Sequence, residues 1–521
     1  MPSAPSGSPG PHVTVVGGGP VGLSAALLLR RAGIRCTVLE RDTAPSPHPK
    51  ARGVRTRTME LFTRWGLAGA LDARALPAGA NQFIYCDSLA GAEIARSPRP
   101  DDRHAGVSVT GPRRVSQDVV QRVLLDAVRR AGGVDLRWGT EVTGLRQSAE
   151  QVTVTTRDGD RVTADYVIAA DGVASTVRDL LGVAVEGEGV LGYGQSIYWH
   201  GDLSRWTRGR LCIQFLTGHR LGHPASIACV DGRDRWVTMV TRPGGGSRPR
   251  PPDPGEAVAI IRRAVGAEID PEIIDITTWR ISACVAVRWR AGRVFLAGDA
   301  AHSFPPTGGF GMNTGVQDVD NLVWKLALVL RGLAGDALLD TYETERIGVA
   351  RANAAWSVAN GARFREIGAA IARGDDTALH RLLEEQRDHV EAVEQDLAFG
   401  YGAGAVAEGE VPDGTPLRYA RPGHRFPETP VVIDGERRSS TVALGDRFTL
   451  VTRREQEWAA ARAEGERFGL DLVLAAVDPD VLHGRPAALV RPDGIVAWLA
   501  HPADGPDRLR AVLGSLLGRR P

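Results

Sequence analysis

Apolar residues in this chain fall into two rhythms, alternation and helical spacing, and their order is informative. His12-Val13-Thr14-Val15-Val16 reads as a buried strand, Leu23 to Ala32 keeps a helical pattern, and Cys36-Thr37-Val38-Leu39 reads as a second strand ending on Glu40. Asp165 to Ala170 and Val294-Phe295-Leu296-Ala297 read as two further strands. Alternating runs, Gln195-Ser196-Ile197-Tyr198-Trp199 and Arg235 to Val240 among them, predict a β-rich insert across about 72–110 and 183–284. From Gly315 to about residue 400 the pattern is helical, over Asp318 to Leu330, Tyr342 to Asn360 and Arg381 to Leu397. Beyond a Gly/Ala-rich boundary at Gly400 to Gly404 the rhythm restarts. Phe448 to Val451, a helix over Glu455 to Phe468 and a strand over Asp471 to Val477 are followed by a hairpin. Its strands are Ala487 to Val490 and Ile495 to Trp498, around Pro492-Asp493-Gly494.

The links between these elements carry the chemistry. Between the first strand and helix stands Gly17-Gly18-Gly19-Pro20-Val21-Gly22, a Gly-x-Gly-x-x-Gly turn, and Glu40 closes the next strand. In that context the glycines admit a pyrophosphate to the helix N-terminus while the carboxylate bonds ribose hydroxyls, which selects FAD or NAD over NADP. Gly187 to Gly192 matches the same spacing, but no apolar strand leads into it, so it reads as a loop. Asp171-Gly172 forms a turn after its strand, and Ser175 is placed to cap the helix containing Arg178. The densest segment is Gly298 to Asn313, with Asp299, Pro305-Pro306 and Gly308-Gly309. Asp299 can accept from sugar hydroxyls, and the glycines let the backbone approach a flat ring system at the start of the next helix.

Composition narrows the class. The 521 residues suffice for two or three domains, and 63 Lys+Arg against 62 Asp+Glu give a net charge of +1. That near-balance offers no basic field for nucleic acid or membrane. Five scattered cysteines without a Cys-x-x-Cys pair fit a reducing, cytoplasmic setting and no cysteine-based metal site. The Ser/Pro/Gly-rich first eleven residues read as a disordered lead, not a signal peptide, and no run approaches membrane-span length. Pro243 to Pro252 reads as a mobile loop.

The three turns in this order resemble the fingerprints of single-component (group A) FAD-dependent aromatic hydroxylases, the phenol and polyketide hydroxylases among them. The resemblance covers nearly the whole chain. It implies an α/β fold: a Rossmann-like FAD-binding domain (12–71, 111–182 and 285–345) interleaved with a β-rich substrate domain (72–110 and 183–284). A helical segment (346–405) and a thioredoxin-like C-terminal domain (406–521) follow a disordered lead (1–11). It implies non-covalent FAD held by Gly17, Gly19, Pro20, Val21 and Gly22, with Glu40 and Arg41 at the ribose and Val142 at the adenine. Arg52, Gln117 and Asp171 come near the flavin or its pyrophosphate. Asp299 takes the ribityl chain, and Gly311, Met312 and Asn313 the ring edge. Arg52 as a surface arginine and Gln117 as a capping residue are the plainer readings.

The resemblance further implies NAD(P)H as a transient reductant, O2 as cosubstrate, and hydroxylation of an aromatic ring through a flavin C4a-hydroperoxide. Pro306 and Asn313 are the catalytic candidates, through the proline carbonyl at the flavin face and the asparagine at its pyrimidine end. The base that activates the substrate is unassigned; Tyr198, His200, His219 and His223 lie in the right region, and His302 reads as structural or catalytic. The C-terminal domain has no cysteine and reads as a scaffold or subunit contact, in a monomer or homodimer. The large insert points to a multi-ring, polyketide-like phenol or quinone. Baeyer–Villiger or epoxidising chemistry on the same scaffold is an alternative, as is a non-catalytic flavin-binding interaction protein. A halogenase is disfavoured because no Trp-x-Trp-x-Ile-Pro segment occurs.

Overall fold

The computed structural model describes residues 10–98, 105–207, 210–216, 221–407, 416–477 and 480–519. Most of the expected lead (residues 1–9) and His219 lie outside them. The strand His12–Val16 sits in the middle of a six-stranded sheet. It pairs in parallel with Arg35–Glu40 on one side and with Tyr166–Ala169 on the other. Tyr166–Ala169 pairs in turn with Val294–Leu296, and Val134–Trp138 flanks Arg35–Glu40. The inner strands are buried and apolar at their centres apart from Thr14 and Thr37, as a parallel sheet covered on both faces requires, while the edge strand Val134–Trp138 is only partly covered. The sheet is therefore assembled from three segments far apart in sequence.

A second sheet of eight strands runs, in order, His302–Ser303, Glu272–Ala286, Val185–His200, Arg235–Pro243, Ala225–Cys229, Ile213–Leu216, Phe83–Cys86 and Glu93–Arg96. Alternation gives it two unlike faces. Ile197 and Trp199 enter an apolar layer under the helix Pro254–Val265. Ser196 and Tyr198 face the other way, towards His48 of the nucleotide-binding half.

Gly187 to Gly192, expected as a loop, lies inside the long strand Val185–His200. Register shifts fall at Gly187/Gly189 and at Val190/Gly192, where the backbone bulges. A Cβ at Gly187 would meet the Ala283 carbonyl oxygen at 2.1 Å, and one at Gly192 the Arg242 carbonyl oxygen at 2.5 Å. These glycines serve strand packing, not a phosphate. The Pro243 to Pro252 stretch lacks regular structure after its first residue, yet it is tied to the sheet. Arg248 donates to the Thr278 carbonyl, and the Arg250 carbonyl accepts from Gln195 at 2.7 Å.

The helix expected over Tyr342 to Asn360 is one rod of 37 residues, Ala337–Arg373. The helix before it starts at Gly311, four residues earlier than the pattern suggested. In the C-terminal part, Thr449–Thr452 and Val473–Val477 are parallel, while Ala487–Val490 and Val496–Leu499 add antiparallel strands before the helix Pro506–Leu517. That order is thioredoxin-like. The helix expected over Glu455 to Phe468 is shorter, Ala461–Glu466, preceded by turns that bury Trp458.

This C-terminal part is bolted on by buried charge. Arg491 grips both oxygens of Glu345 at 2.8 and 2.9 Å, and Lys325 Nζ donates to the same carboxylate at 2.8 Å. Burial works against ionisation, but two cations around one carboxylate hold Glu345 down at about 2. Lys325 is pulled to about 8, because burial outweighs its share of Glu345 and Arg491 repels it. No helix among the described residues is long and apolar enough to cross a membrane.

Candidate cofactor and substrate site

Three loops meet above the carboxyl ends of the parallel strands. Gly17 adopts φ +108°, and a Cβ there would stand 2.3 Å from the Ala170 carbonyl oxygen, so the first turn presses against the turn that begins at Asp171. A Cβ on Gly298 would meet Val21 at 3.0 Å, and one on Gly315 would meet Val21 at 2.6 Å. Arg178 completes the triangle by donating to the Ala300 carbonyl at 3.1 Å. Gly19 differs, because a Cβ there would meet nothing within 4 Å. The backbone thus opens onto a cradle at the N-terminus of the helix Pro20–Arg31, where Pro20 supplies the first-turn φ.

At one end of the cradle Glu40 accepts from the Gly18 N–H at 2.5 Å and from the Asp42 N–H at 2.9 Å. Arg41 and the residues to Pro47 wall an open groove of about 530 Å3 beside it. Val142 begins the neighbouring three-stranded sheet, and Thr140 reaches back to the Glu40 carbonyl at 2.7 Å. Gln117 is the first residue of the helix Gln117–Ala131, and its N–H donates to the Ala51 carbonyl at 2.8 Å, so Arg52 is held beside that helix start.

At the other end stands Asp299. Its side chain is accessible although it lies deep in the molecule, which marks a residue lining a cleft; burial pushes its carboxyl up. A Cβ on Gly311 would be 3.7 Å from its Oδ1, so Asp299 adjoins the first turn of the helix Gly311–Leu330. The first ladder bond of that helix is Thr314 N–H to the Phe310 carbonyl, and the earlier N–H groups of Gly311, Met312 and Asn313 precede it. Pro306 is exposed, and its carbonyl accepts from Gly309 N–H at 3.2 Å. Asp171 spends its carboxylate on its own turn, accepting from Ser175 Oγ at 2.5 Å and Val177 N–H at 3.1 Å. The open cradle at Gly19 and the cleft-lining carboxylate fit a long dinucleotide with sugar hydroxyls at both ends.

Asn313 departs from expectation. Its side chain is fully buried and already committed: Oδ1 accepts from Arg55 N–H at 2.9 Å, and Nδ2 donates to Gly309 at 2.6 Å and Gly53 at 3.2 Å. Its amide fastens the Pro-Pro-Thr-Gly-Gly loop to the Gly53–Arg55 segment, and its carbonyl accepts from Thr58 Oγ1 at 3.4 Å, which leaves the backbone N–H for a ring edge. Asn313→Ala would remove the partner of three part-buried backbone groups, the Arg55 N–H and the Gly53 and Gly309 carbonyls. A loss of about 1–2 kcal/mol in unfolding free energy is expected, read by urea denaturation; an unchanged midpoint would refute the role.

Several participants were not foreseen. Asp318 anchors the loop from beneath, accepting from Gly298 N–H at 3.1 Å, His302 Nε2 at 2.8 Å and Arg346 Nε at 2.9 Å. His302 is thereby structural, stacked on Phe304 at 4.6 Å. His48, in the loop after Arg35–Glu40, ties that loop to the second sheet, with Asp275 on Nδ1 at 2.7 Å and Ser196 on Nε2 at 2.8 Å. Of the proposed bases, Tyr198 faces this junction. Its hydroxyl accepts from Arg235 at 2.7 Å, and Arg235 is itself held by Asp118 at 2.8 Å. His200 bonds the same hydroxyl at 3.2 Å, while His223 is remote from it, beside Arg242. Phe83, Tyr85, Phe215 and Phe364 pack with centroids 4.5 to 5.6 Å apart in a core cluster between the second sheet and the helices Ala337–Arg373 and Asp376–Glu391.

Comparison with known proteins adds to this geometry. An FAD-binding-domain family model matches residues 11–357, and an aromatic-ring hydroxylase C-terminal model matches 419–520. A putative polyketide hydroxylase of Streptomyces halstedii is 36% identical over 97% of both chains. A ternary complex of aklavinone-11 hydroxylase with FAD and aklavinone superposes with a TM-score of 0.85 at 32% identity, covering 98% of this chain and 100% of that one. The flavin-dependent monooxygenase PieE, in complex with FAD and substrate, gives 0.88 at 28% identity with the same coverage.

Proposed function

As this chain belongs to the FAD-dependent aromatic-ring hydroxylases, flavoprotein monooxygenases that use NAD(P)H and O2, we propose that it hydroxylates a polycyclic phenol or quinone of polyketide type. The observation that carries this is a full-length likeness, over 97% and 98% of the chain, to a polyketide hydroxylase and to aklavinone-11 hydroxylase. When bound, FAD supplies the hydride-accepting and oxygen-activating chemistry; the residues of the chain bind, orient and exclude water.

In this reading Gly17, Gly19, Pro20, Val21 and Gly22 cradle the pyrophosphate, and Glu40 takes the adenosine ribose with Arg41 beside it. Val142 meets the adenine, and Asp299 takes the ribityl hydroxyls. Gln117, Arg52 and the backbone of Gly311, Met312 and Asn313 border the ring system, with Asp171 near the pyrophosphate and the Pro306 carbonyl near the reacting face. The substrate lies between this edge and the face of the sheet that bears Tyr198, where burial keeps water from the reacting atoms.

The test uses purified protein reconstituted with FAD. NAD(P)H oxidation stimulated by hydroxylated anthraquinones, with a product heavier by one oxygen atom, is the expected result. Stimulation by single-ring phenols alone would overturn the substrate class. An inserted ring oxygen giving a lactone would replace hydroxylation by Baeyer–Villiger chemistry.

A further inference from the structure

Tryptophans inside this protein are held by their neighbours: Trp199 stacks on Trp236 and donates to Thr238, Trp458 meets Trp498, and Trp289 packs with His302 and Tyr342. Trp279 is different. It lies in the strand Glu272–Ala286 and is half-buried. Among the described residues it belongs to no apolar cluster, pairs with no ring and donates no hydrogen bond from its indole N–H. Register sets it opposite Gly194, on the face that also carries Ser196 and Tyr198. A Cβ on Gly194 would meet three adjacent indole atoms at 2.5 to 2.9 Å, so the indole is laid over Gly194 in the space a side chain would take. Gly194 has no left-handed φ, so the backbone makes no demand for glycine there; the indole does. Thr241 opposite Gly194 and Met239 opposite Ser196 continue the patch, both half-buried. Along its strand Trp279 stands between Asp275, which holds His48, and Cys284, which pairs with Ser303 of the cofactor loop. A tryptophan this unoccupied, on the face turned to the cofactor half, adds little to the core and is placed to meet a ligand.

We propose that Trp279, seated over Gly194, is a stacking platform for the substrate rings remote from the one that is hydroxylated, and so selects multi-ring over single-ring aromatics. The inference rests on the monooxygenase reading above and deepens it, by naming the residue that reads ring count. Indole offers an electron-rich surface, which an electron-poor quinone ring complements in an offset or edge-to-face contact. Met239 adds an unbranched, polarizable margin that adapts to ring outline. A single-ring phenol held at the reacting edge gains nothing from this platform. A fused ring system that also covers Trp279 gains a second point of attachment, which fixes the orientation of the ring to be oxidised.

The probes are 2-hydroxyanthraquinone and the single-ring 4-hydroxyacetophenone, each titrated calorimetrically into the FAD-loaded protein. Trp279→Leu is expected to weaken the anthraquinone about tenfold, as loss of one aromatic contact implies, and to hold the single-ring Kd within about twofold. Trp279→Phe should recover part of the loss. Gly194→Ala keeps the indole but drives it from its seat, so it should show the same selective loss as Trp279→Leu. Because Trp279 lies outside the apolar clusters, Trp279→Leu should melt with the unaltered protein. An equal loss for both probes overturns the proposal, as does an unchanged anthraquinone affinity in Trp279→Leu. An unaltered holoenzyme that binds neither probe overturns it too. NAD(P)H oxidation is scored separately: a selective loss of binding without any coenzyme oxidation keeps the platform and removes the hydroxylase reading.

Discussion

Gly22→Ala is expected to emerge from purification nearly free of FAD. A Cβ at this position would stand 1.9 Å from the Gly17 carbonyl oxygen, and neither partner can yield. Gly17 is pinned from behind by its N–H bond to Leu39 at 2.8 Å and by the Ala170 carbonyl, and Gln121 holds the Gly18 carbonyl at 2.8 Å. The helix must back away, at an overpacking cost of about 1–3 kcal/mol. Its free N–H groups then leave the position a pyrophosphate requires, so FAD affinity should fall by about tenfold to a hundredfold. Gly19→Ala supplies the contrast. The ligand-free chain has room for that methyl group, so the variant should melt normally and still lose FAD, because the methyl occupies the cofactor's own space. Fluorescence titration of each apoprotein with FAD decides the matter. Retention within twofold by Gly22→Ala would remove the turn from the cofactor site.

Glu345→Gln should be the most damaging single change away from the cofactor. The amide keeps the shape but leaves Lys325 and Arg491 buried around a neutral group, for an expected loss of about 3–5 kcal/mol. The weakened joint lies between the Ala337–Arg373 rod and the C-terminal hairpin, so urea should unfold the C-terminal part in a separate, earlier transition. Adding Lys325→Met should recover part of the loss. The same carboxylate sets an acid limit. Its folded value is about 2 against an ordinary 4.5, so the stabilisation is complete above about pH 4.5 and is lost as the pH falls towards 2. Thermal melts of the unaltered protein should drop across that window more than those of Glu345→Gln. Parallel curves would mean the pair contributes nothing.

The sequence made the cofactor turns legible because they are local demands on the backbone. A left-handed Gly17, an acid at the end of a strand and a proline-glycine loop before a helix each leave a residue type in place. Gly187 to Gly192 shares the spacing but, with no apolar strand before it, reads as a loop; instead its left-handed glycines serve bulges in a strand 16 residues long. Spacing alone does not distinguish a phosphate turn from a bulge; only the preceding strand does. Residues whose role depends on a distant partner were invisible. Asp318 looks like any helical aspartate until Gly298, His302 and Arg346 close around it, and His48 sits beside Asp275 across 227 positions. Asn313 was placed in the right loop, but its committed amide depends on Arg55, 258 positions away.

The interleaving of the nucleotide sheet also bears on how the chain matures as it is made. Strand His12–Val16 gains its second neighbour only with Tyr166–Ala169, and Val21 meets Gly298 and Gly315 only when those residues exist. At roughly 5–20 residues per second of synthesis, the amino-terminal cradle waits about 15–60 s for its missing wall. During that interval a nascent apolar strand is exposed beside the ribosome. Cofactor capture is thereby deferred until most of the polypeptide has been translated, and premature termination before Gly315 yields a chain that has no closed nucleotide cradle.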